Sequence, residues 1–269
     1  MNRSISDFLK AFREASILER YNSASGLLQK IDPRAKLAVF LALILASVAS
    51  NSSRSLALFL LALFLLASLS RIPLKTFLFR SLFFITVFSA VIALPIPFIT
   101  PGSPLVSFKI LNVPLQITGR GVSLAALFIL RVWVCASSAI LLTLTTRFSA
   151  LIKAMESFRF PKVFTMMASI TYRFIFLFID EAYRMALARE ARIGKKASKI
   201  EAVKSVGLIV STLLIRAYER GERVYLAMKN RGYRGATASL NDLKFNFNDM
   251  LFGSIFLSFI ALVLVNGGL

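Results

Sequence analysis

The chain has 269 residues, of which 57% are hydrophobic, yet its formal net charge is +20. A soluble domain seldom combines these properties, and the charges cluster between apolar runs, which is typical of a membrane protein with a positive-inside bias and not of a nucleic-acid-binding protein. The absence of histidine and the single cysteine, Cys135, exclude an intrachain disulfide and a thiolate or imidazole metal site.

Residues 1–36 form a polar, charged segment, which predicts a cytoplasmic lead-in without a cleavable signal peptide. The segment ends in Asp32-Pro33-Arg34-Ala35-Lys36. Asp32 can cap a helix, and Pro33 suits the first position of that helix. Arg34 and Lys36 are then expected at the level of the cytoplasmic head groups.

Residues 37–146 predict four transmembrane helices, because four apolar runs follow one another. The runs cover residues 37–49, 56–69, 81–99 and 121–146. The first two are short for a bilayer, which needs roughly 20 helical residues, so we expect them to form a tight helical hairpin. The loop from Pro95 to Thr118 holds one lysine and no acid, which indicates an external loop.

The fourth run contains a charge, Arg131. An ionisable residue inside the membrane is a functional hypothesis by default. The alternative, which we favour, is an arginine buried against a partner or snorkelling toward the interface. No acidic residue lies in another predicted span, so the sequence identifies no partner.

Residues 147–247 are predicted to be cytoplasmic, since the part from Arg147 to Lys244 has 19 Lys plus Arg against 8 Asp plus Glu. Within it, residues 163–179 are mostly apolar and are expected to pack under the bundle rather than to cross. Residues 248–269 hold the last span. The predicted fold is an all-α integral membrane protein, a bundle of about five transmembrane spans with long cytoplasmic amphipathic helices.

The cytoplasmic part carries two helical patterns. In the first, basic residues recur at spacings of three and four, which gives one basic face: Arg189, Arg192, Lys196 and Lys199. A break is expected near Gly194. In the second, apolar residues from Val203 to Met228 recur at helical spacing. The opposite side is charged: Arg216, Glu219, Arg220, Glu222 and Arg223, with Glu219 and Arg223 spaced as an i,i+4 pair. Such a helix should lie on a membrane or against another protein.

The stretch from Arg216 to Tyr233 resembles the second coupling helix of the transmembrane (T) component of energy-coupling factor (ECF) transporters, above all their cobalt and nickel branch. That family carries two Ala-Arg-Gly motifs. This chain has Ala191-Arg192-Ile193 and Asn230-Arg231-Gly232 in their place. Asn230 and Ile193 depart from the pattern, but both arginines are present. Gly232 and Gly235 also suit the end of a helix.

The resemblance implies a complex with two cytoplasmic ABC ATPase subunits and a small substrate-binding membrane subunit. It implies that the ATPases dock on Ala191, Arg192, Asn230, Arg231 and Gly232. Supporting roles on the coupling helices fall to Arg189, Arg216, Glu219, Arg220 and Arg223. The chain would be a multi-pass protein of a prokaryotic plasma membrane with a cytoplasmic N-terminus.

The chain has no Gly-x-x-x-x-Gly-Lys-Ser/Thr phosphate loop and no catalytic constellation. We therefore expect no enzyme activity, no catalytic residue, no bound metal and no cofactor in this chain, with ATP and Mg held by the partner subunits. Cobalt or nickel is the expected substrate of the complex, and a vitamin such as biotin is the alternative.

Two other functional classes remain open. One is a membrane scaffold whose basic face, including Arg192 and Arg231, binds anionic lipid. The other is an ordinary ABC permease that forms its own substrate path.

Overall fold

A computed structural model describes residues 26–70, 77–79, 85–110, 113–192, 199–235 and 246–267. The predicted lead-in up to residue 25 and the predicted break at Gly194 lie outside the described residues. The chain divides into two compact units, one ending at Leu151 and resuming at Leu243, the other running from Ile152 to Asp242.

The described elements are ten helices and two strands. The first half contains α1 (Leu27–Lys30), α2 (Pro33–Ala49), α3 (Ser53–Leu69), α4 (Ile85–Ala93), α5 (Ile96–Ile99), β1 (Pro104–Ile110), β2 (Val113–Thr118) and α6 (Gly119–Thr145). The second half contains α7 (Phe148–Ser157), α8 (Lys162–Arg192), α9 (Lys199–Asn230) and α10 (Phe247–Gly267). The predicted all-α membrane fold is confirmed.

The larger unit is a helical bundle arranged around α6. This helix contacts α2, α3, α4 and α5, while α10 packs against α2 and α3. The core consists of fully buried apolar side chains from α2, α3 and α6: Phe40, Leu43, Phe59, Leu63, Val134 and Leu141. Since lipid tails are as apolar as these side chains, close packing rather than exclusion of water drives their association.

Two local features differ from the sequence predictions. The third predicted span is interrupted near Pro95, where α4 ends and the short α5 begins; proline cannot continue the helical hydrogen bonds of the preceding turn. The predicted external loop contains a β-hairpin in which β1 and β2 pair antiparallel, from Pro104 with Thr118 to Ile110 with Val113.

The start of α2 confirms the predicted cap. The Asp32 carboxylate accepts a hydrogen bond from the Arg34 backbone N–H at 2.8 Å, and Pro33 occupies the first helical position. The expectation for Lys36 was wrong: instead of reaching the head groups, its side chain is 2% exposed. Its Nζ donates to the carbonyl oxygen of Thr145, at the end of α6, at 3.1 Å.

The carboxylate of Asp249, a residue that the sequence analysis did not single out, joins the starts of two helices. One oxygen accepts from the backbone N–H of Asp32, and the other accepts from the backbone N–H of Asn246, each at 2.8 Å. Asp249 is buried and attracts the buried Lys36 electrostatically. The starts of α2 and α10 are therefore held together by one buried carboxylate.

Arg131 binds the other end of α2. Its Nη2 donates to the carbonyl of Ser50 at 2.8 Å and to the side-chain oxygen of Asn51 at 3.3 Å. In a bilayer the last carbonyls of a short helix have no water to bind, so a neighbouring donor stabilises that end. The partner missing from the sequence analysis is thus a helix terminus and not an acidic residue.

The two cations tie α2 to α6 at two levels. The number of residues between Lys36 and Ser50 equals that between Arg131 and Thr145, which corresponds to about 21 Å of helix. The antiparallel helices are therefore in matched register. Between the two levels, the hydroxyl of Ser47 lies 3.0 Å from the sulfur of Cys135.

By length and hydropathy, three described helices could cross a membrane: α6, α8 and α10. Ser53–Leu69 and Phe88–Ile99 are shorter apolar helices. The predicted count of about five spans includes these shorter helices together with α2. The preference for packing residues 163–179 under the bundle stays a prediction, although α8 is long and apolar enough to span.

Replacing Asp249 by alanine should destabilise the bundle, because it removes the acceptor of two backbone N–H groups and one of the two carboxylates, Asp32 and Asp249, that attract the buried Lys36. Removing one partner of a buried charged pair costs on the order of 3 kcal/mol. For a chain of this size that is a fall of about 10 °C in the thermal midpoint. The measurement is thermal unfolding of the purified protein in detergent, with Asn248→Ala on the same helix as control. An equal shift in both variants would contradict the role given to this carboxylate.

Candidate functional site

The smaller unit is dominated by two long helices, α8 with 31 residues and α9 with 32. They correspond to about 46 and 48 Å of helix. The two candidate motifs lie at equivalent points, since Arg192 is the last residue of α8 and Arg231 directly follows α9. The described motif residues are all exposed: Ala191, Arg192, Asn230, Arg231 and Gly232. Ile193 lies outside the described residues.

The end of α9 explains why a glycine follows Arg231. Gly232 has φ +82°, a left-handed conformation in which glycine carries no penalty from a Cβ atom. Its N–H donates to the carbonyl of Lys229, and the N–H of Tyr233 donates to the carbonyl of Met228, both at 3.0 Å. This pair of bonds is a Schellman motif, which ends the helix and leaves Arg231 at its tip. The prediction that Gly232 ends the helix is confirmed.

The end of α8 is electrostatically similar. Arg189 and Arg192 lie in its last turn. Their positive charges are favourable there, because the helix dipole places partial negative charge at the C-terminus. Arg192 is exposed, and Arg189 is half-buried.

The two arginines are far apart. The chain between Arg192 and Lys199 can extend over at most roughly 25 Å, whereas α9 is about 48 Å long. Arg231 lies at the far end of α9, so the two positions are at least roughly 20 Å apart. One small ligand cannot contact both arginines, but two separate proteins can.

Four of the predicted supporting residues have defined partners. Arg216 and Arg220 both bind Glu181 on α8, at 2.7 and 3.4 Å. Glu219 and Arg223 form the expected i,i+4 pair on α9 at 3.9 Å. Both members of that pair are more than half exposed, and such a pair contributes little to stability.

Glu181 is the residue that the sequence analysis missed at this site. It directly follows Asp180 on α8. The structure separates them: Asp180 binds Arg184 on its own helix at 2.8 Å, whereas Glu181 binds α9. The signal in the sequence is the i,i+4 spacing of Arg216 and Arg220, which presents two cations on one helical face.

The apolar side of α9 is exposed over most of its length. Large apolar side chains that are at least half exposed recur along it: Val203, Val206, Val210, Leu214, Tyr218, Tyr225 and Leu226. An unpartnered apolar stripe of this length indicates a surface that contacts lipid or another protein. Of the apolar positions predicted for this helix, Val203, Val206, Val210 and Leu214 are exposed.

The described residues of this unit offer charged and apolar surfaces. Across the described ranges, no group of three or more His, Cys, Asp or Glu side chains could hold a metal ion. Glu181 pairs with Arg216 and Arg220, further ion pairs join Asp180 to Arg184 and Glu219 to Arg223, and Arg192 and Arg231 are exposed at the two helix ends. The site therefore offers two separate cationic tips and one apolar stripe.

Comparison with known proteins identifies the family. Residues 24–241 match the model of the CbiQ family, described as cobalt transport protein. An uncharacterized protein, MJ1571, of Methanocaldococcus jannaschii is 34% identical over 93% of this chain and 86% of its own. The energy-coupling factor transporter transmembrane protein EcfT of Listeria innocua is 30% identical over 82% of this chain and 86% of its own. The cobalt transport protein CbiQ of Rhodobacter capsulatus is 28% identical over 55% and 60%. The chain belongs to the CbiQ family of transmembrane components of energy-coupling factor transporters.

Proposed function

We propose that this chain transmits ATP-driven motion from two ABC ATPase subunits to a separate substrate-binding membrane subunit, and that the complex imports cobalt. The observation that carries the proposal is the position of Arg192 and Arg231 at two exposed helix ends that are too far apart for a single ligand. The family and several of its relatives are named as cobalt transport proteins, which supports cobalt as the substrate. ATP and Mg belong to the ATPase subunits.

The chemistry of arginine suits this docking role. A guanidinium presents five donors in a fixed planar fork and forms charge-assisted bonds with carboxylates or carbonyls at the floor of a groove. At a helix C-terminus it also lies next to unpaired backbone carbonyls, so the tip offers both donors and acceptors. Asn230 adds a side-chain amide beside Arg231 and can take part in the same contact.

The apolar stripe of α9 supplies the second contact. A small membrane-embedded subunit has an apolar surface that can cover it, and the helix can then pass motion from its tip to that subunit. Nucleotide biases the ATPases between two states, and the helices carry that bias to the substrate-binding subunit. Nickel and a vitamin are the alternative substrates, and the identity of the copurifying membrane subunit decides between them.

Replacing both arginines should abolish coupling without preventing insertion. Loss of a charged hydrogen-bonding residue at an interface costs roughly 2–5 kcal/mol. The losses at two distant docking sites should add. Arg192→Ala and Arg231→Ala should each weaken ATPase copurification, and the double variant should be close to inactive in cobalt uptake. Arg231→Lys should restore little, because a point charge cannot replace the guanidinium fork.

The matched control is Arg234→Ala, another exposed arginine that directly follows the Schellman motif. Uptake and ATPase copurification are measured in a strain without its own copy of the gene. Normal uptake in the double arginine variant would reject the docking assignment. Loss of uptake without loss of ATPase copurification in Arg234→Ala would favour the lipid-binding scaffold.

The charge distribution predicts the topology: the N-terminus and residues 147–244 inside, the loop from Pro95 to Thr118 outside. Single cysteines at the exposed positions Ser103 and Lys204, in a Cys135→Ala background, test it with an impermeant thiol reagent. The background is expected to fold, because Ser47 keeps its hydrogen bond to the Ile44 carbonyl. In intact cells Ser103→Cys should react and Lys204→Cys should not. Labelling of Lys204→Cys from outside would overturn the scheme.

A further inference from the structure

We infer that Glu181 is a positioning residue, which fixes where α8 and α9 cross and thereby sets the distance between the two docking arginines. The consequence of this inference for transport rests on the proposed function. Its geometric part concerns only the smaller unit and can be tested on the chain alone.

In this contact, the single carboxylate of Glu181 binds two arginines of α9. Oε1 of Glu181 lies 2.7 Å from Nη1 of Arg216, and Oε2 lies 3.4 Å from Nη2 of Arg220. Arg216 and Arg220 are one helical turn apart, so the two bonds restrain rotation of α9 as well as its distance from α8. A single bond would leave that rotation free.

The contact is partly shielded from water. The Glu181 side chain is 17% exposed and that of Arg220 is 29% exposed, in contrast to the exposed pair of Asp180 and Arg184. The Arg220 guanidinium also lies over the ring of Phe178, 5.7 Å from its centre. Phe178 and Glu181 are three residues apart on one face of α8, and together they hold Arg220 from two sides.

The contact lies at the same distance from the docking arginine on both helices. Glu181 precedes Arg192 by as many residues as Arg220 precedes Arg231, about three helical turns or roughly 17 Å. A whole number of turns brings each docking arginine back to the face of the helix that carries the contact. Two helices fixed at this point therefore have arms of the same length that end in the two docking arginines.

The interaction also depends on the negative charge of Glu181. Without the carboxylate, Arg216 and Arg220 would face α8 with no opposite charge between them, and the two helices would lose their fixed crossing. The docking of each arginine to an ATPase depends only on the helix end that carries it. The role of Glu181 therefore predicts a loss of coupling in excess of any loss of ATPase binding.

The first test measures geometry in the full-length chain in nanodiscs. Spin labels at Leu187 and Tyr225, both exposed, report the distance between the two arms by pulsed electron paramagnetic resonance in the Cys135→Ala background. Glu181→Gln should broaden the distance distribution at least twofold. Asp180→Asn is the control, because it removes the neighbouring carboxylate, whose ion pair stays within α8; it should leave the distribution unchanged. Equal distributions in all three proteins would overturn the inference.

The second test restores the contact with reversed charges. In Glu181→Arg/Arg216→Glu, the new carboxylate can bind the arginine across the interface and Arg220 one turn away on its own helix. This double variant should narrow the distance distribution again, whereas Glu181→Arg alone should not. Failure of the reversed pair to narrow it would show that the effect of Glu181→Gln is not a charge interaction between α8 and α9.

The third test measures coupling in the assembled complex. Glu181→Gln should lower uptake at least tenfold while ATPase copurification and ATP hydrolysis stay within twofold of wild type. Equal losses of uptake and copurification would reject the positioning role. If the wild-type chain binds no ATPase, the proposed function fails, whereas the spin-label distances still decide whether Glu181 fixes the crossing.

Discussion

The buried carboxylate of Asp249 holds the beginnings of α2 and α10 together, and the larger unit depends on the kind of interaction that it makes. A charge within a membrane bundle has little water to bind, so a helix end is its most accessible partner. Asp249 accepts from backbone N–H groups at two helix starts, while Lys36 and Arg131 donate to carbonyls at two helix ends. In each case the sign of the charge is opposite to the partial charge of the helix end that it meets.

In the smaller unit, charges also lie at helix ends of opposite partial charge, but these helix ends are exposed. The basic residues at the ends of α8 and α9 match the dipole of each helix, and among the residues that the structure describes neither Arg192 nor Arg231 forms an ion pair. They are stable as surface features and remain available to an acidic or carbonyl-lined partner. Glycine at position 232 completes the arrangement, because it turns the chain away directly after Arg231.

Local features could be predicted from the sequence, and long-range partners could not. The apolar runs gave the helices, Asp32 and Pro33 gave the start of α2, and Gly232 gave the end of α9, because each depends on neighbouring residues. Asp249 binds Asp32 across 217 positions, and Glu181 binds Arg216 across 35. Such pairs follow from packing, which periodicity does not encode. The burial of Lys36 was missed for the same reason, and the hairpin was missed because the charge rule that identifies an external loop says nothing of strands.

The arms of equal length that extend from Glu181 and Arg220 have a mechanical consequence. A rigid arm of roughly 17 Å converts a change of ten degrees at the crossing into a displacement of about 3 Å at its tip. That displacement is comparable to the length of a hydrogen bond, so a modest rotation would suffice to make or break the contacts proposed for each arginine. Because both arms have the same length, equal rotations would displace the two arginines by the same distance, even though the two motifs differ in sequence. The two helical arms are therefore equal in length although they end in different residues.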